Sequence, residues 1–311
     1  MKNEIYADLH NHTTASDGDF SPEELVSMAG NMGISALGVT DHDTLEGLGP
    51  AVMAGRKRGV EVVPGVEISV RFKEPFFTGT LHVLCYFEPD MLNHGAFISA
   101  LGRTLAGGRG DDLIRARIGE INRIFGPEGF EPILAEPLEF EEVSSYSPAV
   151  TRRHFALALK EKHNIHNTDI VNRIMGNDSP AYLPSGVDLG IIKSFLGEFP
   201  VLAVLAHPAA GSFPGRGHYK EVLPPFEVVE RMLPAFLNAG ICGVEINYPG
   251  HIQCHRKILG GWKKRYGLIE TGGSDCHDAK DRPLGIEGVS REIFNHFKAC
   301  ITRRSRHPQG G

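Results

Sequence analysis

Ala7-Asp8-Leu9-His10-Asn11-His12, followed five residues later by Asp17, is the stretch on which the interpretation of this chain turns. Ile5 to Leu9 has the pattern of a short β-strand, and side chains two residues apart in a strand share one face. His10 and His12 can therefore converge on one point. Imidazole is the commonest metal-binding side chain, so a nearby carboxylate would complete a site for a divalent ion. Taken alone, the pair is equally consistent with two hydrogen-bonded or solvated histidines.

The composition indicates a globular α/β protein, either one large domain or a core domain with an insertion. The chain has 311 residues, and its 41% hydrophobic and 23% charged content is close to the average of soluble domains. No apolar run approaches the roughly 18 to 20 residues that cross a bilayer, and the first residues lack the apolar core of a signal peptide. We therefore expect a cytoplasmic protein without membrane contact.

Cysteine spacing and net charge exclude further classes. The five cysteines are odd in number and widely separated, and they contain no Cys-x-x-Cys pair, which argues against a disulfide framework and a zinc knuckle. The formal net charge of −6 gives no overall basic surface for duplex DNA. A local basic patch is still compatible with a short anionic substrate. Nothing in the sequence indicates the oligomeric state.

Short apolar runs alternate with helical patterns at both ends of the chain. Ser21-Pro22-Glu23-Glu24, for example, is typical of a helix start, with a capping serine, a proline at the first helical position and acids in the first turn. Such alternation predicts parallel strands joined by helical crossovers, hence an α/β sheet or barrel. We expect this unit to comprise residues 1–89 and 200–302.

The middle of the chain has a different pattern. Residues 90–199 show mainly helical periodicity, flanked by glycine-rich and proline-rich pieces that suit loops, and we expect them to form an inserted helical subdomain. Residues 303–311 lack an apolar pattern and are expected to form a flexible tail.

Nine side chains that can bind metal fall at or near the ends of predicted strands. Active sites of parallel α/β folds form at the C-terminal edge of the strands, because the loops there share one mouth. The set comprises six histidines and three acids: His10, His12, Asp17, His42, Glu67, His82, His207, Asp275 and His277. A tetrahedral site takes three or four ligands, so nine predict two or three ions, bridged by a carboxylate such as Glu67. Clustered divalent ions predict phosphoester hydrolysis, since they hold phosphate oxygens and activate water.

Some of these residues have other plausible roles. His82 lies in the middle of an apolar strand pattern and taken singly resembles a hydrogen-bonded core histidine, and Asp17 can cap the Ser16-Asp17-Gly18 turn. Glu67, between Val66 and Ile68, is harder to explain without a cation, because an unpaired buried carboxylate is costly.

The ordered set of short motifs resembles the polymerase and histidinol phosphatase (PHP) domain. The matching segments are His10-Asn11-His12 with Asp17-Gly18, Thr40-Asp41-His42-Asp43, Gly65-Val66-Glu67-Ile68, Leu81-His82, Ala206-His207-Pro208 and Gly273-Ser274-Asp275-Cys276-His277. The resemblance implies a distorted seven-stranded (β/α)7 barrel and a trinuclear centre of manganese, iron or zinc. It also assigns metal ligation to all nine residues above. Within the family, the chain is most similar to bacterial phosphoesterases that hydrolyse nucleoside 3′,5′-bisphosphates and act as 5′-3′ exoribonucleases on short oligoribonucleotides.

The resemblance extends less clearly to the substrate contacts. Thr151-Arg152-Arg153-His154 is similar to a Gly/Ser-Arg-Pro-His segment of that branch, with Arg153 at the proline position, and implies that Arg152 and His154 bind phosphate. An exposed amphipathic helix with solvated arginines is the alternative. His251 follows another predicted strand end and is a third candidate for substrate contact. Glu245 is expected mainly to pack in the barrel.

Together these features predict a metal-dependent phosphoesterase in which a metal-bridging hydroxide attacks phosphorus and Asp275 receives the proton of the nucleophile. The helical insertion would be a substrate-binding lid, and the substrate a small phosphorylated molecule, either a nucleotide or a short RNA. Histidinol phosphate phosphatase is an alternative, as is a non-catalytic PHP module that binds metal or nucleic acid.

Overall fold

The fold is built on one seven-stranded sheet in which every strand pairs with the next along the chain. The computed structural model describes residues 5–108, 110–147, 150–176, 178–214 and 223–306. The strands are β1 (Ala7–Asp8), β2 (Ala36–Val39), β3 (Glu61–Glu74), β4 (Phe77–Tyr86), β5 (Leu202–Leu205), β6 (Gly243–Asn247) and β7 (Ile269–Gly272).

Parallel pairing holds at both ends of the sheet and is interrupted in the middle. β1 to β3 are parallel, as are β5 to β7, which agrees with the predicted strand and helix alternation. β4 is antiparallel to both of its neighbours and forms a long hairpin with β3. Glu67 and His82 therefore lie inside the hairpin strands, and their expected positions at strand ends were wrong. The hairpin keeps pairing past the barrel edge because residues 66–72 retain the alternation of apolar side chains that one buried face requires.

The sheet curves into a nearly closed barrel, which confirms the predicted fold. Instead of a regular ladder, single hydrogen bonds join β7 and the segment after it to the segment after β1. Leu9 N donates to Gly272 O at 3.1 Å, and Asp275 N donates to His10 O at 2.8 Å. A side chain at Gly273 would place its Cβ only 2.4 Å from His10 N, so this close approach of two backbones requires glycine.

Helices surround the barrel and fill the region between β4 and β5. They are α1 (Pro22–Asn31), α2 (Leu48–Arg58), α3 (Gly95–Ala106), α4 (Asp111–Phe125), α5 (Phe140–Ser144), α6 (Arg152–Glu161), α7 (Thr168–Met175), α8 (Leu189–Glu198), α9 (Phe226–Asn238), α10 (Gln253–Tyr266) and α11 (Arg291–Arg306). α1 begins as predicted, because Ser21 and Glu24 form a reciprocal capping box and Pro22 is the first helical residue.

The region between β4 and β5 contributes to two hydrophobic cores. α3 and α8 pack into the main core with the barrel, through side chains such as Phe97 and Phe195. Residues 111–181 form a second core around Phe125 and Phe155, and we call this unit the helical subdomain. The expected insertion is thus largely helical in its described residues, but its two ends are part of the barrel's own core.

The C-terminal helix, α11, packs against the barrel strands β5 and β7. α11 continues to Arg306, so the flexible tail expected from residue 303 was wrong for residues 303–306, while residues 307–311 lie outside the described part. Arg304 donates to Val201 O at 3.0 Å, which explains why this polar end of the helix is held against the barrel. Within the described ranges, no helix has the length and apolarity needed to span a membrane.

Candidate metal centre

Glu67 lies at the centre of a buried cluster at the barrel mouth. Its carboxylate oxygens lie within 3.3 Å of a ring nitrogen of each of five histidines: His10, His12, His42, His82 and His207. Oε2 faces the first three and Oε1 the last two. His82 joins this group because β4 runs antiparallel to β3. After the hairpin, β4 returns the chain to the barrel mouth and places His82 opposite Ser69, close to Glu67.

Two further carboxylates complete the cluster. Asp275 Oδ1 lies 3.1 Å from His12 Nε2 and 3.4 Å from His277 Nδ1. Asp17 Oδ1 lies 3.3 Å from the other ring nitrogen of His277. All nine side chains predicted as ligands are thus brought together.

The cluster divides into three overlapping groups, in each of which the ligand atoms lie within 4.8 Å of one another. The groups are His12, Asp17, His42 and His277; His10, His12, Glu67 and Asp275; and His42, Glu67 and His82. Each pair of groups shares one residue, and His207 adjoins the third through Glu67. Nitrogen and carboxylate donors of this kind suit zinc, iron or manganese.

Unsatisfied atoms show that the residues fit metal ions. Asp17 Oδ1, His42 Nδ1 and Glu67 Oε2 are buried, and although each faces other cluster atoms at 3.1–3.3 Å, none of these contacts within the described residues has the geometry of a hydrogen bond. Buried polar atoms rarely remain unpaired, because each costs about 1–3 kcal/mol. A cation between such atoms would satisfy them, so the protein part of the cluster is consistent with bound divalent ions.

The charges of the cluster also suit cations. Burial tends to raise the pKa of Glu67, but the adjacent His42 and His82 outweigh burial and hold this pKa well below its usual value. Burial tends to lower the pKa of His12, but the adjacent carboxylates of Asp275 and Glu67 raise it to about 9. Without metal, the carboxylates are therefore ionised and His12 holds a proton that a metal ion must displace.

A second layer of contacts orients the ligands. Glu245 Oε1 lies 3.1 Å from His10 Nδ1, and Glu245 Oε2 accepts a 2.8 Å hydrogen bond from the backbone N–H of His207. We expected Glu245 mainly to pack in the barrel, but these contacts also orient the ring of His10 and the backbone of His207, both of which are candidate metal ligands. Asp41 accepts bonds from Thr13 and Ser16 and fixes the loop that follows His12.

Two of the cluster residues have strained backbones. His207 has a φ of 29° and Asp275 a φ of 51°, values that side-chain-bearing residues rarely adopt. The surrounding hydrogen bonds, including Glu245 to His207 N and Asp275 N to His10 O, hold these conformations. Strain of this kind is concentrated at functional sites.

A cavity of about 490 Å³ joins the cluster to the helical subdomain. At one end it is lined by seven of the nine ligand residues. Towards the helical subdomain it is lined by arginines and by apolar or aromatic side chains: Arg117, Ile121, Arg152, Ile174, Met175, Tyr182 and Leu183. The cavity therefore offers a cationic and apolar wall opposite the metal-binding wall.

Comparison with known proteins agrees with this geometry. Residues 8–99, which include β1 to β4, match the family model described as PHP domain. These residues are therefore similar to a PHP domain. Six of the nine candidate ligands lie within the matched residues, and the remaining three, His207, Asp275 and His277, lie in the segments that follow β5 and β7.

Curated relatives resemble the chain over most of its length. A 5′-3′ exoribonuclease of Haemophilus influenzae is 28% identical over 275 residues, which are 87% of this chain and 89% of the relative. A phosphoribosyl 1,2-cyclic phosphate 1,2-diphosphodiesterase of Eggerthella lenta is 26% identical over 87% of this chain and 93% of its own length. A 3′,5′-nucleoside bisphosphate phosphatase of Chromobacterium violaceum is 27% identical over 95% of this chain and 98% of its own length.

A solved structure supports the fold. The crystal structure of a candidate metal-dependent phosphoesterase from Bifidobacterium adolescentis matches with a TM-score of 0.70 at 23% identity, over 94% of this chain and 96% of that one. The barrel and the helical region between β4 and β5 therefore share one overall fold with that structure.

Of the three residues predicted to contact the substrate, only Arg152 lines the cavity, and its guanidinium also donates to Met175 O. His154 is buried and turned back to the start of α6, where its Nδ1 accepts a 2.9 Å hydrogen bond from Thr151 N. Its predicted place at the substrate is wrong, because the third position of a helix favours a side chain that caps the first turn.

The prediction for His251 is also wrong. Ala209 N donates to its Nε2 at 3.1 Å, and its Nδ1 donates to Ile246 O at 3.0 Å. Burial lowers the pKa of His251 to about 3, which keeps the ring neutral for both bonds. His251 therefore fixes the loop after His207 and does not face the cavity.

Three cavity residues were missed as candidates. Tyr248 donates to Asp275 Oδ2 at 2.8 Å, and Arg282 lies 3.1 Å from the same oxygen. Arg153 pairs with Asp19 at 2.5 Å and joins α6 to the mouth. The only sequence signal was proximity: Tyr248 follows a strand end, and Arg282 lies five residues after His277.

Proposed function

We propose that this chain is a metal-dependent phosphoesterase that hydrolyses phosphate esters of nucleotides, either nucleoside 3′,5′-bisphosphates or short oligoribonucleotides. The observation that carries the proposal is the convergence of nine donor side chains, eight of them in three overlapping groups, beside one cavity. A histidine cluster with a purely structural role would be expected to hydrogen-bond its carboxylate oxygens, whereas Asp17 Oδ1 and Glu67 Oε2 make no hydrogen bond within the described residues.

The ligand groups favour two or three divalent ions, of manganese, iron or zinc. When bound, such ions would hold phosphate oxygens and lower the pKa of a water molecule from 15.7 towards about 7. Glu67 would help to hold ions in two of the ligand groups, because it belongs to both and its two oxygens face different histidines. Retention of every expected ligand argues against a non-catalytic module.

Asp275 has two separate roles in this proposal. Its Oδ1 faces the ligand cluster, whereas Oδ2 is occupied by Tyr248 and Arg282. Oδ1 would therefore bind metal and receive the proton of the attacking water. The flanking Tyr248 and Arg282 keep the carboxylate in one orientation during that transfer.

The far wall of the cavity supports a nucleotide as substrate. A phosphate at the ions would leave the rest of the molecule against Ile174, Met175 and Tyr182, which suit a flat, weakly polar base. Arg152 would contact a phosphate from the helical subdomain, which then serves as a substrate-binding lid. The names of the three curated relatives all concern phosphate esters of nucleosides or ribose, which is consistent with this choice.

The test is incubation of the purified protein with Mn²⁺ and adenosine 3′,5′-bisphosphate. We expect release of inorganic phosphate that is abolished by a chelator and restored by added metal. A short 5′-phosphorylated RNA and histidinol phosphate, assayed in parallel, separate the exoribonuclease and histidinol phosphatase alternatives. Absence of turnover of all of these substrates with Mn²⁺, Fe²⁺ and Zn²⁺ would contradict the proposal.

A further inference from the structure

The loop that follows the last ligand residue holds Arg282 in a fixed position. Asp278 Oδ1 accepts backbone N–H groups from Lys280 at 2.8 Å and Asp281 at 2.6 Å. The backbone oxygen of Arg282 accepts the N–H of His277 at 3.0 Å. The backbone of Arg282 is therefore bonded directly to a predicted metal ligand.

The other end of this loop is anchored beneath the same ligands. Gly285 N donates to Asp8 Oδ2 at 3.0 Å, and Ile286 N donates to Ser274 Oγ at 3.0 Å. Ser274 Oγ in turn donates to Asp8 Oδ2 at 2.6 Å. The hydrogen bonds that place Asp275 thus also place Arg282, which is the rigidity that a reacting site requires.

The side chain of Arg282 lies at the border between the ligand cluster and the cavity. Its guanidinium lies 3.1 Å from Asp275 Oδ2, and the side chain is 12% exposed. It lines the same cavity as the ligands. Its terminal group is therefore close to a metal-binding carboxylate and adjacent to the space that a bound phosphate would occupy.

Charge gives this position a function. The guanidinium of Arg282 is partly buried, and a buried positive charge is stabilised by anions close to it. Asp275 supplies one such anion, and the cavity beside it leaves room for a second. A phosphoryl group is such an anion, and arginine offers several N–H donors to its oxygens.

We propose that Arg282 is a catalytic residue that donates hydrogen bonds to a non-bridging oxygen of the phosphoryl group during hydrolysis. This inference rests on the proposed function. In the reaction, the water oxygen forms a bond to phosphorus while the ester P–O bond breaks, its electron pair remains on the leaving oxygen, and that oxygen takes up a proton. Arg282 keeps its own protons and stabilises the charge that remains on the non-bridging oxygens.

The test compares R282Q and R282K with K280Q, which removes a positive charge from an exposed position of the same loop. We expect R282Q to lower kcat about 10²- to 10³-fold, as loss of one oxyanion donor does elsewhere. Bound metal per chain should stay unchanged. The affinity of metal-loaded protein for inorganic phosphate, measured by calorimetry, should fall about tenfold. R282K should recover part of both losses, and K280Q should behave as the wild type.

Two results would overturn the assignment. Loss of metal from R282Q in proportion to its loss of activity would mean that Arg282 only holds Asp275 in place. Unchanged kcat and phosphate affinity would place Arg282 outside the reaction. Because phosphate binding needs no turnover, a wild type that binds phosphate but hydrolyses no substrate would contradict the proposed function while the R282Q comparison still tested the anion contact.

Discussion

The barrel mouth and the helical subdomain face one cavity, yet their polar side chains are used in opposite ways. At the mouth, Glu67 Oε2 and His42 Nδ1 point into the cluster without hydrogen bonds. In the helical subdomain, by contrast, His154 accepts a hydrogen bond from the backbone N–H of Thr151, and Arg117 donates to the carbonyl oxygen of Leu183, just after the subdomain. The donor atoms of the mouth therefore face one another in the cluster, whereas these two side chains of the subdomain hold nearby backbone, and the subdomain presents arginines and apolar side chains to the cavity.

The largest effect should come from Glu67. E67Q keeps the shape of the side chain but removes the charge shared by five histidines. We expect a loss of activity of about 10³-fold or more, together with loss of at least one bound ion, because several kcal/mol of transition-state stabilisation depend on the ions. Steady-state kinetics and elemental analysis measure the two effects. E61Q, on the same strand but paired with Lys298 outside the cluster, is the control. Full metal content in E67Q would mean that the mouth does not hold ions through this carboxylate.

A smaller effect should follow from the residue behind the ligands. E245Q should weaken metal binding about 10- to 100-fold, because Glu245 orients His10 and the backbone of His207 without facing the ions. Competition with a metal-binding dye measures this affinity. E270Q is the matched control. Glu270 lies on β7, the strand next to that of Glu245, and pairs with Lys263 of α10. Equal affinities of the two variants would contradict the orienting role.

The helical subdomain should affect substrate binding and leave metal binding unchanged. R152Q should raise the KM for adenosine 3′,5′-bisphosphate about tenfold through loss of one charge-assisted contact. R173Q is the control within the same subdomain, because Arg173 pairs with Glu131 at an exposed position. If R152Q and R173Q have the same KM, the subdomain does not contact phosphate through Arg152.

The smallest functional effect should come from His251. H251L leaves Ala209 N–H and Ile246 C=O without partners, so we expect the free energy of unfolding to fall by about 2 kcal/mol while KM stays within about twofold. Denaturant unfolding and kinetics at saturating Mn²⁺ separate the two quantities. A tenfold rise in KM with unchanged stability would restore the substrate contact that the sequence suggested.

The same contrast explains what was predictable from the sequence. The ligand set was accessible because parallel strands place their C-terminal loops at one mouth, and even His82, on a strand of the opposite direction, follows a recognisable motif. The hairpin of β3 and β4 was not foreseen, since an apolar run does not reveal the direction of its pairing. The roles of His154 and His251 depended on which local backbone groups lay in reach of each ring, and those of Tyr248 and Arg282 on the course of loops. None of these is encoded in residue spacing.

The most direct test of the account is the number of metal ions held by the wild-type chain. The protein is stripped with a chelator, reconstituted with Mn²⁺ and freed of excess metal. Elemental analysis should then find two or three ions per chain, because the ligands form three groups that overlap at His12, Glu67 and His42. The same preparation should hydrolyse adenosine 3′,5′-bisphosphate. A content well below one ion per chain would contradict the account and leave the nine side chains as packing residues of a barrel.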